Sequence, residues 1–251
     1  MLARLRRHPF AVEAFFRWSL VLAYALPARL LQPLLPRGLE VDTYDDQWGF
    51  LAIALVQTED LRPTGMPRLF GRDFFLSGYR VFARFARPGQ QALRGLKILR
   101  SDADRKAMVT LGNLFTHYGY RFAEIAVQRS DARLVVDVKT QAGEADLHIE
   151  ADVATDLAAA LPEGSPFRSL DDARKFAGPL PYTFDSDKDK MLVVRGVRAA
   201  WDPRPVRIVA HASSFLTRPE LAQAGAPRLA NAFFVENVPY AWKAGVLEEL
   251  A

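Results

Sequence analysis

The sequence predicts an α+β chain that is mainly β: a mostly antiparallel sheet, curved or closed on itself, with two or three short helices laid on it. Three observations carry this. About ten short runs of alternating or wholly apolar residues are set off by turn residues, the texture of a strand-rich fold. The composition, 50% hydrophobic and 25% charged with 15 Gly and 16 Pro in 251 residues, is ordinary globular usage. Finally, no internal repeat and no Ser/Gly-rich linker divides the chain, so residues 1–251 read as one domain.

In chain order, residues 1–12 read as a loose N-terminal extension and residues 17–26 as the first strand. Pro27 then opens a short amphipathic helix, with Leu30, Leu31, Leu34 and Leu35 at helical spacing before Pro36 stops it. Residues 48–56 are apolar on both alternating faces. Such a strand belongs between two layers or inside a closed sheet, because neither face can meet water cheaply. Strands at 74–85 and 93–99 follow, separated by the Pro88-Gly89 turn.

The clearest helix is expected after Ser101, with Ser101 as its cap, Asp104 in a capping-box position and Asp102 favouring the positive end of the dipole. Ala107, Met108, Leu111, Leu114 and Phe115 form its apolar face, and it should end near Gly119. Strands resume at 121–127, 133–139 and 146–153. The last alternates strictly, with Leu147, Ile149, Ala151 and Val153 inward and Asp146, His148, Glu150 and Asp152 outward. A short helix at 169–176 and strands at 191–201, 206–216 and 232–238 complete the set.

Several function classes lose their ground at once. Without cysteine there are no disulfides, thiolate nucleophiles or Cys-based metal centres, and the redox compartment is left open. The longest uncharged run in the apolar N-terminal region, residues 18–28, has 11 residues against the ~20 of a membrane span. Ala23-Tyr24-Ala25 mimics a cleavage site behind Arg4, Arg6 and Arg7, but only residues 18–22 would remain as its apolar region, short of the ~7–15 a signal needs. A cytoplasmic protein without a membrane partner is expected. Nucleophile elbow, P-loop, GxGxxG, HExxH and EF-hand patterns are all absent from the sequence.

The net charge of +4 hides two opposed segments. Residues 62–107 carry eleven basic side chains against Asp73, Asp102 and Asp104, while residues 142–189 carry eleven acids against Arg168, Arg174, Lys175 and Lys188. The basic charges are spread through strand-like sequence without a continuous run or a nucleic-acid motif, so they read as a solvated face and no nucleic-acid partner is expected. Asp146, His148 and Glu150 share a strand face, yet such alternation is what a half-exposed sheet looks like without any metal. His211, on a strand, reads as a histidine satisfied by a structural hydrogen bond, with a buried acid/base as the alternative.

One stretch stands out, Thr116-His117-Tyr118-Gly119-Tyr120-Arg121, which places an imidazole, two phenols and a guanidinium at a helix-to-strand turn. Two readings stand for it: a site, or an aromatic-rich turn covering the edge of the core. Together with Leu35-Pro36-Arg37-Gly38-Leu39-Glu40, with Asp73-Phe74-Phe75-Leu76-Ser77-Gly78-Tyr79-Arg80, with the unit 95–117 containing Ser101-Asp102 and with the closing strand 205–216, it resembles the acetoacetate decarboxylase-like superfamily, most of all its bacterial branch of domains of unknown function.

The resemblance implies one β-rich, cone-like or double-barrel domain around an internal cavity. It also implies a departure in chemistry. Decarboxylases of the superfamily use a lysine that forms a Schiff base with a β-keto acid, activated by apolar surroundings and a neighbouring lysine. That pair falls on Tyr120 and Arg121 here, neither of which can form a Schiff base, and the cavity glutamate falls on Leu76. The substrate-facing arginine is retained as Arg17. The expectation is therefore a cavity binding a small organic anion, a carboxylate, with Arg17, Arg80, Tyr118 and Arg121 as ligand-binding residues and no metal or cofactor. The alternative is a lyase or related enzyme on a keto acid, with Lys97 as a displaced Schiff-base residue or His117 and Tyr120 as an acid/base pair. Related decarboxylases form large oligomers, though no interface is legible in this sequence.

Overall fold

The computed structural model describes residues 5–87, 89–154, 160–178 and 180–250. The chain runs β1 (Val12–Pro27), α1 (Ala28–Leu31), β2 (Leu39–Val41), β3 (Trp48–Pro63), β4 (Arg72–Arg87), β5 (Gln90–Ala103) and α2 (Lys106–Phe115). Next come β6 (Tyr120–Arg129), β7 (Arg133–Thr140), β8 (Leu147–Asp152), α3 (Leu170–Phe176), β9 (Tyr182–Asp187) and β10 (Lys190–Arg198). The last elements are β11 (Arg204–Pro205), β12 (Arg207–Ser213), α4 (Pro219–Ala222), β13 (Arg228–Trp242) and β14 (Val246–Glu249). The fold is mainly β, with four α-helices among the described residues where two or three are expected. The four strands that escape the sequence reading, β2, β9, β11 and β14, are short.

Pairing closes the sheet. β4 bonds to both β3 and β5, so β5, β9, β10, β13, β1, β3 and β4 form a ring of seven strands. Most contacts are antiparallel; β5 lies parallel to β6 and β9. From β6 the sheet leaves the ring through β7, β8 and β12 and folds back over β1, β3 and β4. Leu20, Leu22, Leu51 and Ile53 of the ring there meet Leu134, Val136, Leu147 and Ile149 of the covering strands in the largest core. The apolar character of both faces of β3 follows, since Leu51, Ile53 and Leu55 enter this core while Ala52 and Val56 face the inside of the ring. No helix among the described residues is long and apolar enough to cross a membrane.

Two local expectations are corrected. Ser101 and Asp102 do not start a helix: both stay in β5, and α2 begins later, with no side-chain cap at Arg105. Asp102 is fully buried against Arg100, whose Nε and Nη2 donate to its two oxygens at 2.6 and 2.7 Å. Asp104 accepts from the Phe75 backbone N–H at 2.8 Å and so fixes the turn after β5 instead of capping. Within the stretch read as a loose extension, His8 and Phe10 are tied down. His8 is buried, its N–H donates to the Phe115 carbonyl at 3.0 Å, and the Phe10 ring packs edge-on against Phe115.

On β8 the alternation holds, with the inward residues buried. The outward charges are matched across the sheet: His148 to Asp137 at 2.8 Å, Glu150 to Arg133 at 2.6 Å and Asp152 to Arg207 at 2.7 Å.

Candidate functional site

The inward residues of the ring do not fill it. They enclose a cavity of about 410 Å³, to whose wall all seven ring strands contribute. That is the size of a small-molecule site. Its walls are chiefly apolar, with Phe16, Val56, Leu76, Phe82, Ile98 and Phe233 prominent. α2 closes one side with Met108, Leu111 and Phe115, so the helix's apolar face lines the void while Met108 also packs against Phe74 and Ala103. Leu111, Met66 and Phe70 are also partly exposed, and the cavity reaches the surface beside them.

Among the described residues four arginines border these walls, Arg62, Arg72, Arg80 and Arg198; Arg62 is paired with Glu13 and Arg72 is exposed, whereas Arg80 carries its charge inward with its Nε buried. Strand alternation turns Leu76, Arg80 and Phe82 of β4 to the cavity and Phe75, Tyr79 and Val81 to the core under the covering strands. No carboxylate lines the cavity among the described residues. The Arg80 Nε has no hydrogen-bond partner, and the groups acting on its charge are the phenols of Tyr120, Tyr240 and Tyr118. Burial pushes its pKa down, yet a guanidinium stays protonated in proteins. An enclosed cation without a counter-ion is costly.

The three phenols are neutral donors. Burial raises all three pKa values, that of Tyr120 to about 12, where Arg80 pulls it back. The Tyr118 hydroxyl lies 2.8 Å from Thr183 Oγ1, whereas the Tyr120 backbone is clamped by Asn113, which accepts from its N–H and donates to its carbonyl. Gly112 in α2 makes this placement feasible, because a Cβ there would stand 2.3 Å from the Tyr120 ring. His8 shares the wall; burial, and after it the neighbouring His117, push its pKa down to about 4.

Of the candidate ligand-binding and catalytic residues, Arg80, Tyr118 and Tyr120 line the cavity, and Arg17, Lys97, His117 and Arg121 do not. Arg17 is held outside by a β-bulge: Phe16 pairs with Thr58 and Trp18 with Gln57, leaving Arg17 unmatched in β1. It makes a two-pronged ion pair with Glu59 at the surface, with both bonds at 3.0 Å. Arg121 is exposed and paired with Glu144 at 3.1 Å. Lys97 sits between Leu96 and Ile98, which take the cavity face, and its ammonium is 2.8 Å from Asp185. His117 lies behind the wall, its Nε2 buried without a partner. His211 meets the Tyr24 hydroxyl at 3.2 Å. Sequence reasoning missed His8, Arg198 and Tyr240, which line the same cavity; each is isolated in its own segment, and only the closed ring brings it to the others.

Comparison with known proteins agrees with this architecture. The DUF2071 profile, described as an uncharacterized conserved protein, matches residues 15–238. Among solved structures, an acetoacetate decarboxylase from Legionella pneumophila superposes with a TM-score of 0.62 at 14% identity, covering 94% of this chain and 86% of that one. An acetoacetate decarboxylase-like enzyme from Sphingomonas wittichii RW1 gives 0.54 at 14% identity, with coverages of 96% and 93%. The enduracididine biosynthesis enzyme MppR, complexed with pyruvate, gives 0.56 at 11% identity, with coverages of 97% and 91%. No curated protein sequence matches significantly. At these identities the likeness is one of fold.

Proposed function

The chain belongs to the DUF2071 family, and from the cavity it encloses we propose that it binds a small organic anion there, a carboxylate received by Arg80. The observation that carries this reading is the unpaired Arg80 guanidinium in a cavity without acids. Eight of the eleven basic side chains in residues 62–107 make ion pairs, from Arg84 and Arg94 on Asp42 to Arg100 on Asp102 and Glu144. Arg80 makes none among the described residues. A carboxylate would supply the missing charge and accept two hydrogen bonds from the fork, with Tyr120 and Tyr118 as neutral donors beside it. That MppR is found with pyruvate supports a small organic acid.

With Lys97 held by Asp185 and no lysine on the cavity wall among the described residues, an imine route finds no amine there. Tyr120 is the remaining proton donor of the lyase alternative. The test is titration calorimetry of the purified protein against simple carboxylates and keto acids. Wild type should bind at least one of them, and Arg80→Met should bind it roughly tenfold to a hundredfold more weakly, the worth of a charge-assisted hydrogen bond. Failure of every acid to bind, or equal binding by the variant, would overturn the reading.

A further inference from the structure

We propose that Arg198 is a second anion anchor in the same cavity and that the molecule received there carries two carboxylates, one held by Arg80 and the other by Arg198. This rests on the reading that Arg80 receives a carboxylate, and it names the class of acid. Arg198 ends β10, where it pairs with Tyr240 of β13, and its side chain lines the cavity. The guanidinium lies over Trp201 at 4.7 Å and over Tyr240 at 5.6 Å from the ring centroids. Contact with the two ring faces holds the cation in place while leaving its N–H donors available.

Those donors are unused: among the described residues Arg198 makes no ion pair and no side-chain hydrogen bond, although burial lowers its pKa. Tyr240 joins the two cations, since its phenol feels both Arg198 and Arg80. A monocarboxylate would neutralise one of them and leave the other uncompensated within the same apolar walls. A dicarboxylate of matching length would neutralise both, and its methylene chain would lie along those walls.

Two fixed anchors predict an optimum length, which apolar contact alone does not. The experiment is calorimetry of the full chain with the dicarboxylates from malonate to suberate and with monocarboxylates of the same chain lengths. Dicarboxylate affinity should pass through a maximum at one length, where it exceeds the matching monocarboxylate by roughly tenfold or more. Arg198→Met should reduce that ratio to about one. If both series rise steadily with length and the dicarboxylates hold no advantage, or if Arg198→Met retains the advantage, the second anchor is disproved while the Arg80 reading stands. Binding by neither series overturns both. Thermal unfolding establishes that the variant folds; should it not, Arg198→Gln replaces it, and the length maximum in wild type decides by itself.

Discussion

Arg80 and His8 line one wall and answer burial in opposite ways. Arg80 keeps its charge because no accessible pH removes a proton from a guanidinium, so its burial creates a demand for an anion. His8 gives up its charge: enclosed beside Tyr118 at 5.2 Å, it titrates at about 4 where an ordinary histidine titrates at 6.5. The unfolded chain therefore takes up a proton at His8 before the folded one does as pH falls through this window. Stability from this group is complete above pH 6.5 and lost toward pH 4. About 2 kcal/mol should disappear between pH 7 and pH 5, measurable by urea denaturation at the two values. His8→Gln should flatten that dependence; an unchanged slope in the variant would assign it to other groups.

At the level of elements, what the sequence discloses depends on whether a pattern is local. β8 is legible because strict alternation is complete within the strand and is read out by burial as it stands. β3 is legible because a run without a polar face can only be enclosed twice. Ser101-Asp102-Ala103-Asp104 has the look of a helix start, but Arg100 two residues earlier claims Asp102 and the Phe75 N–H across the sheet claims Asp104; the first partner is close in sequence yet competes with the helix-start pattern, and the second lies outside any local pattern. Arg17 misleads for a related reason. A bulge is a mismatch between two strands, so neither strand's own sequence declares it, and this one sends Arg17 to Glu59. Arg17→Ala should accordingly leave carboxylate affinity and thermal stability close to wild type, since exposed pairs contribute little. Loss of binding in calorimetry would mean that Arg17 reaches the ligand after all.

The whole molecule joins a filled layer to a hollow one through the same strands, and β3 offers a test of that division. Ile53 is fully buried in the core beneath the covering strands, where removing methylenes opens a void that close-packed neighbours cannot refill. Val56, nearly as buried, borders the cavity, so its truncation enlarges a space that already exists and forfeits fewer contacts. Ile53→Ala should cost about 2–5 kcal/mol in chemical denaturation with ligand affinity retained in the folded fraction. Val56→Ala should cost distinctly less and change which acids bind, favouring bulkier chains. Equal losses of stability at the two positions would mean that the ring interior is packed like the core, and that the space around Arg80 closes in solution.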